Sequence, residues 1–137
     1  MFSKANLIST LVTAIWGLGG GFLLWGIVAD PLLQDHLMTQ GMMKDPIDMV
    51  HLALGCIIQG FGFSSIYRKY GATNYGVNSG LGMGILAAIM VGLGEGLIDF
   101  ATANLLDIQG TLVNFVVYLV FFGITGLLAG LVYKKLG

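Results

Sequence analysis

The sequence predicts an all-α membrane protein, a bundle of four transmembrane helices with both termini on the cytoplasmic side. Three observations carry this expectation. Hydrophobic residues make up 56% of the chain and charged residues only 9%, against about 25% charged in a soluble domain that must cover its own surface. Four apolar runs are long enough for a bilayer core of about 30 Å, which needs roughly 20 residues at 1.5 Å rise. The basic residues are divided unequally between the two ends of those runs.

The four runs are approximately Leu7–Ala29, Ile47–Tyr67, Val77–Ala101 and Thr111–Tyr133. Asp30-Pro31 is expected to stop the first, and Asp45-Pro46 stands just before the second, since proline cannot continue a helix and biases the residue before it away from helical geometry. Arg68-Lys69-Tyr70-Gly71 ends the second, and Asn104 to Gly110 forms a short polar turn between the third and fourth. In 137 residues this leaves one domain, 1–137, with no room for a separate soluble one. The first run exceeds the ~7–15 apolar residues of a signal peptide. It also carries Trp16 and Gly19-Gly20-Gly21, so it reads as a retained helix.

With four crossings, Lys4, Arg68, Lys69, Lys134 and Lys135 share one side and only Lys44 falls on the other. The positive-inside rule places the basic side in the cytoplasm. Asp30, Asp35, Asp45, Asp48 and Asp107 lie in or beside the opposite loops, which makes the outer face negative. A net charge of −1 with no basic block gives no case for nucleic acid. The single cysteine, Cys56, excludes an internal disulfide. No motif implies a cofactor.

Lipid is as apolar as leucine, so inserted helices associate through close packing of small residues and interhelical hydrogen bonds. Gly76, Gly80, Gly84, Ala88, Gly92 and Gly96 recur every four residues along the third helix, and Gly126 and Gly130 mark the fourth, with Gly17 and Gly21 in the first. The stripe has two readings, packing inside one protomer or a homo-oligomeric interface.

Polar groups within the spans are the candidates for chemistry. Glu95 and Asp99 are one turn apart on one face of the third helix, with Glu95 roughly 9 Å inside the outer boundary. Ionisable residues in a span cost about 2.5–3.5 kcal/mol at its centre, less toward the edge, and usually face the bundle or a wet cavity. The second helix brings Asp48 and His51 to the same side, with Gly55 and Gln59 continuing that face; the fourth brings Asn114 and Tyr118. Asp48, His51, Glu95, Asp99, Asn114 and Tyr118 are therefore expected to converge on an outward-facing polar pocket. Three uses stay open: interhelical hydrogen bonding, a cation or proton site, and a small catalytic centre in which Asp48 orients His51. No HxxxH, CxxC or ExxH motif identifies a metal, and no activated nucleophile is evident.

Other residues have plainer readings. His36 with Asp35 reads as a solvated loop pair. Trp25, Tyr67, Tyr70 and Tyr133 suit interfacial anchors, Trp16 and Cys56 suit packing, and Met42-Met43 is too short for a copper array. Asn6, Thr13, Gln59, Ser64, Ser65 and Thr125 make only a sparse polar path through the inner half.

The run from Gly20 to Asp30, glycine-rich with an aromatic-Gly unit and an acidic end, and the glycine-rich stretch from Gly80 to Gly130 resemble small bacterial four-helix membrane proteins catalogued as domains of unknown function. That resemblance implies a bacterial inner-membrane protein of unassigned activity; Glu95 and Asp99 depart from its largely apolar third helix. The expectation for function is a non-enzymatic accessory or self-assembling bundle. Its partners would be the lipid bilayer and a second copy or a larger membrane complex. The alternative is a cation or proton transport subunit using Glu95 and Asp99.

Overall fold

A computed structural model describes residues 2–41, 44 and 46–137. The expectations placed on Asp45 and Met42-Met43 lie outside the described residues. Four helices are long and apolar enough to cross a membrane: α1 (Lys4–His36), α2 (Met49–Tyr70), α3 (Val77–Thr102) and α4 (Ile108–Leu136). The termini and the α2–α3 turn share one end of the bundle, called here the terminus end. The α1–α2 and α3–α4 connections form the loop end.

Helix starts follow local chemistry. Ser3, Asp48 and Asp107 accept hydrogen bonds from the backbone N–H of Asn6, His51 and Gly110, each three residues on, and so satisfy N–H groups that have no intrahelical partner. α3 begins after Gly76, which has no side chain to cap with. The Tyr67 hydroxyl, from α2, accepts the Gly76 N–H at 3.1 Å instead. Arg68-Lys69 and Lys134-Lys135 occupy the last turns of α2 and α4, where positive charge opposes the negative end of the helix dipole.

Asp30-Pro31 does not stop the first helix. Residues Phe22–Ala29 take the wider π-helical turn, and a fresh α-turn, Asp30–Leu33, carries Pro31 in its opening positions before a 3-10 turn at Gln34–His36. Proline lacks an N–H, but the first turn of a helix needs none, so the chain passes through it. A second π segment, Ile89–Gly94, interrupts α3.

The helices pack in the spatial order α2–α1–α4–α3, with the first and last helices forming the middle pair. The α3–α4 contact is the most extensive. A Cβ added at Gly80 would stand 2.1 Å from the Gly126 carbonyl oxygen, and one at Gly84 equally close to that of Phe122. A Cβ added at Gly126 or Gly130 would come equally close to the Gly80 or Gly76 carbonyl oxygen in return. Ala88 is fully buried, and Gly92 and Gly96 face Tyr118 and Thr111. Backbone therefore meets backbone along much of the stripe, a distance that only glycine permits. α2 meets α1 where Gly60 lies against Thr13 and Gly17 against Cys56. α1 meets α4 through Trp16, whose indole N–H donates to the Phe121 carbonyl at 3.0 Å while its ring stacks on Phe121.

Candidate functional site

The six residues expected to share one pocket fall into three groups. Asp48 and His51 form a local pair at the start of α2. The Asp48 carboxylate accepts the His51 backbone N–H at 3.1 Å and bonds the imidazole Nδ1 at 2.6 Å. The His51 side chain is 79% exposed. The backbone N–H of His51, and then its ring, hold the Asp48 carboxyl below its usual range. This is a helix cap reinforced by its neighbour, facing away from the bundle.

Asn114 and Tyr118, one turn apart on α4, are brought together with Trp25 of α1. The Trp25 indole N–H donates to Asn114 Oδ1 at 2.8 Å, and its ring meets Tyr118 edge-on at 4.8 Å. Trp25 thus turns its polar edge into the bundle rather than toward a membrane boundary. Both π segments border this place: Phe22–Ala29 contains Trp25, and Ile89–Gly94 contains Gly92, which abuts Tyr118. Wide turns of this kind often occur at functional positions because they re-aim side chains within an otherwise regular helix.

Glu95 and Asp99 project one turn apart from α3, just beyond the π segment whose Gly92 abuts Tyr118. Both are exposed, and neither side chain makes a hydrogen bond or ion pair among the described residues. Glu95 lies seven residues before the end of α3 at Thr102, about 10 Å along the helix axis. Among the described residues, no three His, Cys, Asp or Glu side chains come together as a metal-holding group. The arrangement offers a pair of carboxylates at the loop end, open to whatever lies beside α3.

Two clusters escaped the sequence reading. At the loop end, His36 does not pair with Asp35 in solvent. Its Nδ1 bonds Asp107 Oδ2 at 2.9 Å, and the Asp107 N–H donates to the His36 carbonyl at 2.9 Å. An antiparallel bridge between Leu37 and Leu106 and a Thr39–Asn104 hydrogen bond continue the contact. This clasp ties the end of α1 to the α3–α4 connection. The Gly110 N–H first, and then the His36 ring, keep the Asp107 carboxyl below its ordinary range.

At the terminus end, Tyr67 and Tyr133 are buried, not interfacial. The Tyr133 hydroxyl lies 3.1 Å from Asn6 Oδ1 and 3.2 Å from both Ser64 oxygens. Asn6 Nδ2 donates to Ser65 Oγ at 3.1 Å, and the Tyr67 hydroxyl meets Ser79 Oγ at 2.7 Å. Tyr67, Tyr75 and Tyr133 pack ring to ring. The residues expected to form a sparse path, Asn6, Ser64 and Ser65, are the centre of this lock. Only Tyr70 stays exposed. A signal was present: Asn6, Thr10, Thr13 and Gly17 recur at helical spacing and mark one polar or small face of α1.

Compared with protein-family models, curated protein sequences and solved structures, the chain shows no significant match.

Proposed function

We propose that the protein is a non-enzymatic integral membrane protein, an accessory subunit or self-assembling bundle, and that its α3 surface at the loop end is an assembly face. The observation behind this reading is that Glu95 and Asp99 are left uncovered by their own chain. Carboxylates tolerated within a span are normally shielded by protein or water, so a neighbouring chain carrying a basic or hydrogen-bonding group is the fitting cover. Gln59, exposed halfway along α2, adds a second uncovered polar group that lipid cannot satisfy. The basic residues favour cytoplasmic termini, and the pattern resemblance favours a bacterial inner membrane.

The test is the mass of the native chain in mild detergent beside that of the Glu95→Gln/Asp99→Asn variant. Assembly through this face predicts a native complex larger than one chain that shifts toward the monomer in the variant. A native monomer whose mass and stability are the same in the variant would overturn the proposal.

A second reading, cation or proton transfer, draws on the two exposed carboxylates, Glu95 and Asp99, one turn apart on α3. Proteoliposomes would then show proton or divalent-ion flux that the double variant loses. Background flux in both chains would rule it out.

A further inference from the structure

A groove of about 770 Å³ opens between α1 and the beginning of α2 at the loop end. Its size falls within the roughly 300–1,000 Å³ of small-molecule sites, and it is separate from the Glu95–Asp99 face. The groove exists because glycines stand where side chains would fill it. A Cβ added at Gly21 or Gly26 would meet nothing within 4 Å. Below them a Cβ added at Gly17 would stand 3.3 Å from Cys56 Sγ, so α1 and α2 lie close together there.

Its polarity changes with depth. Leu18, Phe22 and Leu52 line the deeper part, while Asp30, Gln34 and Gln40 surround the mouth. Asp30 follows Gly17 by 13 steps along α1, at most about 20 Å at the α-helical rise, since Phe22–Ala29 winds more widely. Half of a hydrocarbon core is roughly 15 Å. The groove's length thus matches one leaflet together with its headgroup layer. Among the described residues Asp30 is the charged residue of the lining, and no Lys, Arg or His accompanies it there. One Asp30 oxygen accepts from the Gln34 amide at 3.0 Å. The other has no partner among the described residues.

We infer that this groove binds one acyl chain of an amine-headed phospholipid from the loop-side leaflet, its ammonium group donating to Asp30. The apolar depth fits the chain, the length fits a leaflet, and the Asp30 carboxylate at the mouth selects a cationic amine over an anionic headgroup. The inference rests on the membrane reading above but not on assembly through α3.

The experiment places the protein in nanodiscs of equal phosphatidylethanolamine and phosphatidylglycerol. It then transfers the protein to mild detergent and counts retained lipid by native mass spectrometry. One phosphatidylethanolamine per native chain is expected. Gly21→Leu/Gly26→Leu should lower its retention about tenfold or more. Because these side chains enter open space, the melting temperature should not fall. A Cβ added at Gly19 also meets nothing within 4 Å, and Gly19 lies outside the groove; Gly19→Leu should retain lipid as the native chain does. Asp30→Asn should hold both lipids equally. Native-like retention in the double leucine variant, or no retained lipid in the native chain, would overturn the inference. Failure of the chain to enter nanodiscs would instead overturn the membrane reading itself.

Discussion

The Tyr133 hydroxyl lies 3.1 Å from Asn6 Oδ1, a hydrogen bond across 127 residues that joins the last helix to the first. Both side chains are almost wholly buried, and Ser64 from α2 meets the same hydroxyl. One phenol therefore holds three helices at the terminus end. Tyr133→Phe keeps the ring packing against Tyr67 and Tyr75 but strips the hydroxyl. Interhelical hydrogen bonds in membrane proteins average about 0.6 kcal/mol, while a buried polar group left unpaired costs about 1–3 kcal/mol. The variant should lose stability within the span of those figures, measured by unfolding in mixed micelles. Stability equal to the native chain would show that the hydroxyl does not hold the helices together.

Glycines in this chain should divide sharply by location. Gly80→Ala or Gly84→Ala places a methyl group 2.1 Å from a carbonyl oxygen of α4. A backbone cannot yield as a side chain tip can, so α3 must move away. Overpacking costs typically about 1–3 kcal/mol, and here the expected loss is at the upper end. Gly19→Ala meets no neighbour and should be neutral or mildly stabilising, given the weak helix propensity of glycine. Parallel thermal melts of the three variants check the contrast.

Ser9 points the other way. Its hydroxyl is buried and has no hydrogen-bond partner among the described residues. Ser9→Ala removes an unpaired polar atom, which is expected to leave stability unchanged or raise it by up to about 1–3 kcal/mol. A clear loss on unfolding would mean that the hydroxyl has a partner in the membrane.

The loop-end clasp should respond to acid. Asp107 has its carboxyl held below the ordinary range by the Gly110 N–H and the His36 ring. A carboxylate stabilised in the folded chain contributes above its unfolded value of 3.8, and the contribution disappears as pH falls through the lower folded value. Stability should therefore decline toward acid pH. Asp107→Asn should flatten that decline while weakening the cap of α4. Melting temperatures across the acid range for both chains test this, and parallel curves would remove Asp107 as a cause.

The four spans were legible because hydropathy over about 20 residues is a local property; three of the expected runs fall inside a helix of the structure, and the second, Ile47–Tyr67, begins two residues before its helix at Met49. Their ends were less so. Pro31 looks like a stop until the preceding π segment places it in a new first turn. Side-chain destinations were hidden for a different reason. Composition tells that Tyr67 and Tyr133 lie near a membrane boundary, but not whether they turn outward or inward; α2 and α4 packing decides that. Similarly, Asp48 and His51 at i, i+3 describe a helix cap as well as a pocket wall, and in the structure they form the cap. His36 found Asp107 rather than Asp35 because the α3–α4 connection passes beside it, a relationship no local pattern carries.

The placement of α1 and α4 in the middle of the bundle has a consequence for biogenesis. At about 5–20 residues per second of synthesis, Asn6 waits roughly 6–25 s for Tyr133 to be made. During that interval α1 holds a polar face without its final partner, and α2 can satisfy only part of it. The chain therefore cannot consolidate helix by helix. Its native arrangement closes only after the last helix has been inserted beside the first, so any delay in delivering the C-terminal segment exposes the nascent N-terminal pair.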